Sequence, residues 1–270
     1  MNVIITGAGS GLGAAMARRF AAADYNVAVT DIDEPRAREL LAEFKTPAAR
    51  SFSFRLDTTC DSDWEALYQE VKQRWGGVDV LVNNAGVAAA GLCEETSLED
   101  WQWVLDVDLM GVVQGCHRFV PMFRQQAEQG RKAHIVNIAS FAGLSGMPGI
   151  SAYGTAKAGV VALSEHLRSE LKEQGIGVTV VCPAFVKTRL LETFRFQHPA
   201  QKDRVQRWME HSGVTADDVA RDVMKAIRKN RFLLLTHPST RWAWLLKRWW
   251  PERYYREVAK QSRLTGRKAA

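Results

Sequence analysis

The sequence predicts an α/β protein built on one doubly wound, parallel, seven-stranded sheet with helices on both faces. Short apolar runs rich in β-branched residues recur along the chain, and segments with helical spacing separate them. The runs are nearly continuously apolar, which is typical of strands buried on both faces. Because each parallel crossover needs a helix, this alternation favours a single layered domain, assigned to residues 1–237.

The individual elements follow from these patterns in chain order. Apolar runs of four to six residues give the strands Val3–Thr6, Val27–Thr30, Ser51–Leu56, Val78–Val82, His134–Ile138, Val178–Cys182 and Phe232–Thr236. Helical spacing gives the helices Ala14–Ala23, Arg36–Phe44, Ser62–Trp75, Trp101–Gln129, Tyr153–Gln174 and Ala216–Lys229.

Composition narrows the class of protein. The 270 residues are 46% hydrophobic and 24% charged, which excludes disordered and fibrous chains. The sequence contains neither an apolar run of 18 residues nor a signal peptide after Met1, so we expect a cytoplasmic protein. The four cysteines are far apart and lack metal-ligand spacing, which favours free thiols and predicts no metal site.

A glycine-rich turn, Thr6–Gly13, lies between the first strand and the first helix. Its pattern, T-G-x-x-x-G-x-G, permits a tight turn and lets a pyrophosphate approach the helix N-terminus. The alternative is a tight turn without a ligand, but the strand-turn-helix context favours a Rossmann-type dinucleotide site. The predicted cofactor contacts in this turn are Gly7, Ser10, Gly11, Leu12 and Gly13.

Asp31 directly follows the second predicted strand and predicts which dinucleotide binds. A carboxylate at this position accepts hydrogen bonds from the adenosine ribose and repels a 2′-phosphate, so the predicted cofactor is NAD. The alternatives are a solvated carboxylate or a helix cap. Arg36 and Arg38 lie nearby and leave some use of NADP open.

Tyr153 and Lys157 lie at i and i+4, so they share one face of a helix. The lysine favours the phenolate and thereby lowers the pKa of the tyrosine, which suits proton transfer near neutral pH. Ser140 follows the strand His134–Ile138, at the sheet edge where open α/β folds bind ligands. These three residues are the candidate catalytic centre.

The glycine-rich turn, Asn83-Asn84-Ala85-Gly86, Ser140 and the Tyr153/Lys157 pair occur in the order and spacing that resemble the classical short-chain dehydrogenase/reductase family. The resemblance covers about residues 2–236. It implies an NAD-dependent alcohol dehydrogenase or carbonyl reductase in which Tyr153 is the general acid/base. Ser140 would polarise the substrate oxygen, and Lys157 would tune Tyr153 and hold the nicotinamide ribose.

The same resemblance implies further cofactor contacts and an assembly. Asp57 should contact the adenine, and the carboxamide contacts should be Val186 and Thr188 in the segment that begins at Pro183. The cofactor cleft should be lined by residues 83–86, namely Asn83, Asn84, Ala85 and Gly86. The two long helices predicted above would form a homodimer or homotetramer.

Two positions depart from the family pattern. Asp108 replaces the helix asparagine that supports a water in the proton relay, and Ala184 replaces a glycine after Pro183. A carboxylate accepts hydrogen bonds but donates none, and it adds negative charge near Lys157. The alternative function is therefore a dinucleotide-sensing protein without turnover, which Asp108 favours and the intact catalytic residues oppose.

Apolar loop residues point to the substrate. A lid at about residues 188–213 and the segment after Ser140 supply Leu190, Leu191, Phe194, Phe196, Trp208, Met209, Phe141, Leu144 and Met147. They favour a pocket for a lipophilic secondary alcohol or ketone, such as a steroid, or for a retinoid or fatty alcohol. The alternative is that many of them pack in the core.

Residues 238–270 form a basic, Trp-rich extension. From residue 221 onward there are 14 Lys and Arg against 3 Asp and Glu. A stripe at i, i+3, i+4 and i+7, namely Trp242, Leu245, Leu246 and Trp249, favours packing on the protein or on a neighbouring subunit. Four tryptophans beside Arg241, Lys247 and Arg248 leave peripheral membrane contact open. Nucleic-acid binding lacks a recognition motif and is not predicted.

Overall fold

The computed structural model describes residues 1–44, 51–188, 190–197 and 199–266. Its strands are β1 (Asn2–Thr6), β2 (Asn26–Asp31), β3 (Phe52–Arg55), β4 (Val80–Asn83), β5 (Ala89–Ala90), β6 (His134–Ile138), β7 (Gly177–Cys182), β8 (Arg195–Phe196) and β9 (Leu233–Leu235). All seven predicted strands are present, and their ends lie within two residues of the predicted ones. The sequence did not indicate the short strands β5 and β8, which pair with each other in a separate parallel sheet.

The helices are α1 (Gly11–Ala22), α2 (Glu34–Ala42), α3 (Asp61–Trp75), α4 (Leu98–Leu105), α5 (Gly111–Glu128), α6 (Ala142–Ser145), α7 (Ser151–Glu170), α8 (Leu190–Thr193), α9 (Pro199–Glu210), α10 (Ala216–Arg228), α11 (Pro238–Trp249) and α12 (Pro251–Gly266). The predicted helix Trp101–Gln129 is α4 and α5, joined by a π-helical turn at Asp106–Met110. Ser97 caps α4, since its hydroxyl accepts a hydrogen bond from the Asp100 N–H at 3.0 Å.

The order of the parallel sheet, β3-β2-β1-β4-β6-β7-β9, confirms the doubly wound arrangement. β1 lies between β2 and β4, so the direction in which the sheet is built reverses at this point. In open α/β sheets the ligand crevice opens outside the carboxyl ends of the strands at this reversal. The topology therefore places the glycine-rich turn after β1 beside the segment that follows β4.

Two apolar cores cover the sheet, one on each face. Trp64, Phe119 and Phe123 fill the face covered by α3 and α5, while Met16 and Phe20 of α1 fill the other. Each such side chain contributes about 1.5–3 kcal/mol when it is removed from water. The strand ends that carry the site are therefore fixed by packing on both faces.

The C-terminal extension folds as a hairpin of two helices, α11 and α12, and α11 contacts α6 and β9. The Lys247 ammonium donates a hydrogen bond to the Leu144 carbonyl at 2.7 Å. Within the ranges described above, no helix is both long and apolar enough to cross a bilayer. Positions 189 and 198 of the predicted lid and 267–270 of the extension lie outside the described residues, as does the side chain of Leu190.

Most of the predicted stripe on α11 does not pack on the chain itself. Trp242 and Trp249 are 76% and 70% exposed, and Leu245 also faces solvent. The inner face of α11 is formed by side chains that are buried or half-buried, namely Thr240, Ala243, Trp244, Leu246 and Lys247. Of the four predicted stripe residues, only Leu246 faces the body of the protein.

Candidate active site

The glycine-rich turn brings α1 against the end of β1. Gly7 adopts φ +61°, a left-handed conformation that favours glycine. A Cβ at Gly13 would lie 2.2 Å from the Gly7 carbonyl oxygen, so Gly13 packs behind the turn and does not line the cavity. The Ser10 side chain does not cap α1, and the N–H groups of its first turn remain available to an anion. This geometry fits a pyrophosphate.

Thr6 joins the turn to the segment after β4. Its hydroxyl oxygen accepts hydrogen bonds from the N–H groups of Asn84 and Ala85, both at 2.9 Å. The Asn84 amide donates to the carbonyls of Thr6 and Gly7 at 2.8 and 3.0 Å. Asn83 is buried and donates to Asn137 at 2.9 Å, so it supports the sheet and does not line the cleft as the resemblance implied.

The Asp31 carboxylate is fixed by two backbone groups at the edge of the cavity. One oxygen accepts from the Gly9 N–H at 2.8 Å, and the other accepts from the Asp33 N–H at 2.9 Å. Asp33 is the residue that caps α2, through a bond from the Arg36 N–H at 3.3 Å. The helix-cap alternative for Asp31 is therefore wrong.

Both arginines near Asp31 have carboxylate partners. The Arg36 guanidinium lies 3.0 Å from Asp33 and 3.2 Å from Glu192 of α8, and Arg38 pairs with Glu34 at 2.6 Å. Glu192 and Arg36 both line the cavity, so this contact joins the lid to the cofactor end of the cleft. Carboxylates on both sides of Arg36 oppose the binding of another anion at that guanidinium.

A single cavity of about 1660 Å³ extends along the carboxyl edge of the sheet. Pockets for one small ligand measure about 300–1,000 Å³, so this cavity has room for a dinucleotide and a substrate together. The predicted cofactor and catalytic residues that line it are Gly7, Ser10, Gly11, Leu12, Asp31, Asp57, Asn84, Ala85, Gly86, Asp108, Ser140, Tyr153, Lys157, Pro183, Val186 and Thr188. Gly13 and Asn83 are the predicted cofactor residues that do not line it.

Ser140, Tyr153 and Lys157 meet in the middle of this cavity. Ser140 follows β6, and its hydroxyl accepts a hydrogen bond from the Ala142 N–H at 3.1 Å. The Lys157 ammonium lies 5.8 Å from the centre of the Tyr153 ring and donates to the Ile138 carbonyl at 3.2 Å. The end of β6 and the first turns of α7 thus bring a hydroxyl, a phenol and an ammonium together.

Asp108 lies in the π-helical turn and pairs directly with Lys157. Its carboxylate is 0% exposed, accepts a hydrogen bond from the Val87 N–H at 2.7 Å, and lies 3.1 Å from the Lys157 ammonium. A Cβ at Gly86 would lie 3.3 Å from both groups, so the glycine leaves space for the pair. The carboxylate that the sequence placed near Lys157 is thus in contact with it.

Burial and charge act on these groups in opposite directions. Burial raises the pKa of Asp108, although Lys157 and the Val87 N–H oppose that rise. Burial opposes the charged form of Lys157, but Asp108 and Tyr153 outweigh it and raise the pKa of the lysine. We therefore assign Lys157 as an ammonium stabilised by the Asp108 carboxylate.

The pKa of Tyr153 is raised, mainly by burial. Lys157 and a hydrogen bond with Ser140 lower it, and the Asp108 carboxylate raises it. Lys157 therefore acts in the predicted direction, but burial outweighs its effect. The charge on Asp108 adds to the cost of forming the phenolate.

The substrate end of the cavity is mainly apolar. Phe194, Trp208 and Met209 of the lid line it, as do Phe141 and Met147. Leu144 instead packs against the core. The C-terminal hairpin, which gave no sequence signal of such a role, contributes Ala243, Leu246, Tyr254 and Val258. Among the described non-glycine residues only Asp24 and Asn230 have positive φ, so Ala184 fits its position without strain.

Comparisons with known proteins agree with this geometry. Residues 1–198 match the family described as short chain dehydrogenase. A solved short-chain dehydrogenase/reductase from Burkholderia phymatum in complex with NAD superposes with a TM-score of 0.85 and 33% identity, over 92% of each chain. The 3beta-hydroxysteroid dehydrogenase 1 of Eggerthella lenta is 34% identical, over 81% of this chain and 83% of the relative.

The chain spans only about two fifths of another curated relative. The protein named probable oxidoreductase EphD, from Mycobacterium tuberculosis, is 32% identical over 237 residues, which are 85% of this chain and 40% of that protein. The likeness therefore concerns one part of the longer relative.

Proposed function

This chain belongs to the short-chain dehydrogenase family, and from that membership and the site geometry we propose that it is an NAD(H)-dependent oxidoreductase interconverting a lipophilic secondary alcohol and its ketone. The observation that carries the proposal is the meeting of Ser140, Tyr153 and Lys157 in a cavity that also receives the N-terminus of α1. Proton-transfer groups and a pyrophosphate site in one cleft suit hydride transfer to or from a carbinol carbon.

The side chains divide the acid/base work. NAD, when bound, supplies the hydride acceptor at C4 of its nicotinamide. The Tyr153 phenolate takes the hydroxyl proton during oxidation, and its phenol returns the proton during reduction. The Ser140 hydroxyl donates a hydrogen bond to the substrate oxygen. Lys157 favours the phenolate by its charge, opposing the effect of burial on the pKa of Tyr153.

The preference for NAD over NADP rests on Asp31 and Arg36. Two backbone N–H groups hold the Asp31 carboxylate at the cavity edge, where it suits the ribose hydroxyls. Arg36, which lines the same cavity, already faces Asp33 and Glu192. The structural relative from Burkholderia phymatum was solved with NAD, which agrees with this preference.

A lipophilic substrate suits the apolar end of the cavity. Phe141, Phe194, Met209, Leu246 and Tyr254 surround that end. Burial of an apolar ligand there contributes about 25 cal/mol for each Å² removed from water. The Eggerthella relative acts by its name on a hydroxysteroid, which has this size and character.

The test is turnover of a panel of alcohols and ketones by the purified protein. The panel holds hydroxysteroids, retinol, fatty alcohols and, as polar controls, short diols, each with NAD and NADP. We expect NAD-linked turnover with the lowest KM among the apolar members. Turnover of the diols alone would exclude a lipophilic substrate.

A second function, dinucleotide sensing without catalysis, is favoured by the Asp108–Lys157 ion pair, since it replaces the family's relay amide with a charge. The same panel of substrates distinguishes the oxidoreductase from the sensor. NADH binding by fluorescence, with no turnover of any member of the panel, would favour the sensor.

We also propose that the chain forms a homodimer or homotetramer through the long helices α5 and α7, as the family resemblance implies. Light scattering after gel filtration measures the mass directly. A monomer at micromolar concentration would contradict this assembly.

A further inference from the structure

The hairpin of α11 and α12 is attached to the body by its inner face. Leu246 of α11 and Tyr254 and Val258 of α12 line the cavity, and Tyr254 is 6% exposed. The hydrogen bond from Lys247 to the Leu144 carbonyl fixes α11 against α6. The hairpin is therefore a wall of the cavity's substrate end, with one side toward the ligand and the other toward solvent.

The opposite side of α11, which we call its outer face, consists of Arg241, Trp242, Leu245, Arg248 and Trp249. These positions are spaced i, i+1, i+4, i+7 and i+8, which places them on one side of a helix, and all five are exposed. Trp250, 63% exposed, follows directly. Large apolar side chains grouped on a surface mark an interaction site more often than a free surface.

The positive charge of the outer face indicates the kind of partner that it binds. Helix α11 carries three cations and no acidic residue. Tryptophan beside arginine is typical of segments that lie in the headgroup region of a bilayer, where the ring is amphipathic and the cation meets lipid phosphates. A symmetric pair of chains would bring the same arginines toward each other, which is unfavourable.

We propose that the outer face of α11 docks on a bilayer that contains anionic lipids. Trp242 and Trp249 enter the headgroup region, and Arg241 and Arg248 contact the phosphates. Because the inner face of the same helix lines the cavity, docking places the substrate end beside the lipid. A lipophilic substrate would then have a short path from the membrane, although docking itself does not depend on the proposed oxidoreductase function.

The test is co-sedimentation of the full chain with vesicles of mixed phosphatidylglycerol and phosphatidylcholine, and with vesicles of phosphatidylcholine alone. We expect binding to the anionic vesicles that weakens with added salt. Arg241→Gln/Arg248→Gln should lower that partition coefficient about thirtyfold, because each cation near an anionic surface contributes about fivefold. Trp242→Ser/Trp249→Ser should lower it more than tenfold.

Leu98→Ser is the matched control, since Leu98 is an exposed apolar residue outside the hairpin, at 86% exposure. It should leave vesicle binding unchanged. All variants alter exposed side chains, and thermal unfolding checks that each is folded. The proposal is overturned if the wild type does not bind anionic vesicles or if the tryptophan variant binds as the wild type does. It is also overturned if that variant only turns an oligomer into a monomer in light scattering, which would identify the face as a contact between copies.

Discussion

Replacing Asp108 by Asn tests the ion pair with Lys157, because it removes one negative charge and keeps the shape of the side chain. The Asp108 carboxylate lies 3.1 Å from the Lys157 ammonium, which lies 5.8 Å from the centre of the Tyr153 ring. The carboxylate is therefore within about 9 Å of that ring. At an effective dielectric constant near 20, a charge at this distance contributes about 2 kcal/mol, or slightly more than one pKa unit.

The sign of the effect follows from the titration of Tyr153. Asp108 opposes formation of the phenolate, so Asp108→Asn should lower the pKa of Tyr153. Alcohol oxidation needs the phenolate and becomes faster as pH rises through that pKa. We therefore expect the rising limb of the oxidation profile to move down by about one pH unit, with a modest change in the limiting rate.

The assay is kcat for alcohol oxidation against pH, with the best substrate of the panel. Asp106→Asn is the matched control, because Asp106 lies in the same π-helical turn and accepts a hydrogen bond from Gln102 instead. The control profile should match that of the wild type. An unmoved limb in Asp108→Asn would refute the electrostatic argument, and an upward shift would show that Lys157 had lost its proton instead.

Asp108→Ala should cost more than Asp108→Asn, because it leaves the buried Lys157 ammonium unpaired and the Val87 N–H without its acceptor. Removing one partner of a buried ion pair costs about 3–5 kcal/mol of folding free energy. Urea unfolding of the wild type and of both variants measures these costs, and an Asp108→Ala midpoint equal to that of the wild type would contradict a buried charged pair.

Three further predictions address catalysis and cofactor choice. Tyr153→Phe should keep less than about a tenth of wild-type kcat while NADH still binds, since positioned acid/base catalysis supplies about 10²–10⁴-fold; retained turnover would exclude Tyr153 as the acid/base. The wild type should bind NADH more tightly than NADPH by about 1–3 kcal/mol, and Asp31→Ala should narrow this gap, measured by calorimetry. Glu192→Gln should remove one of the two carboxylates that face Arg36 and improve NADPH binding by up to about fivefold with NADH binding unchanged, and no gain would show that the Glu192 carboxylate does not limit NADPH binding.

The sequence was sufficient for the sheet and for most of the candidate site. The strands are short and mostly apolar and alternate with helical segments, so they could be located from the sequence. The motifs follow strands whose carboxyl ends meet at one edge. Ser140 and Tyr153 are therefore close in space although 13 residues separate them in sequence. Gly13 shows the limit of this reasoning. The motif places this glycine among the predicted cofactor contacts, and only the structure shows that it packs behind the turn instead.

The sequence did not predict how segments that are far apart along the chain contact one another. The π-helical turn that turns Asp108 toward Lys157 has no composition of its own, because it differs from an α-helix by one inserted residue. The spacing of apolar residues on α11 indicates a stripe. Tryptophans also lie on other sides of this helix, so the sequence alone does not show which side packs against the protein. Contacts with α6 and β9 determine it.

The difference between the features that the sequence predicted and those that it did not has one physical origin. Asp108 and Lys157 are almost fully buried and are fixed by contacts on every side, so a change there alters charge and pKa within a rigid frame. The walls of the proposed substrate end include parts of α9, α11 and α12, which lie on the surface and reach the cavity with a few side chains each, such as Tyr254. We therefore expect substitutions on the hairpin to alter which ligand fits and to leave the proposed proton-transfer groups in place. The proposed chemistry therefore lies at the sheet edge, which the sequence predicted, and the proposed choice of substrate depends in part on α11 and α12, whose position the sequence did not predict.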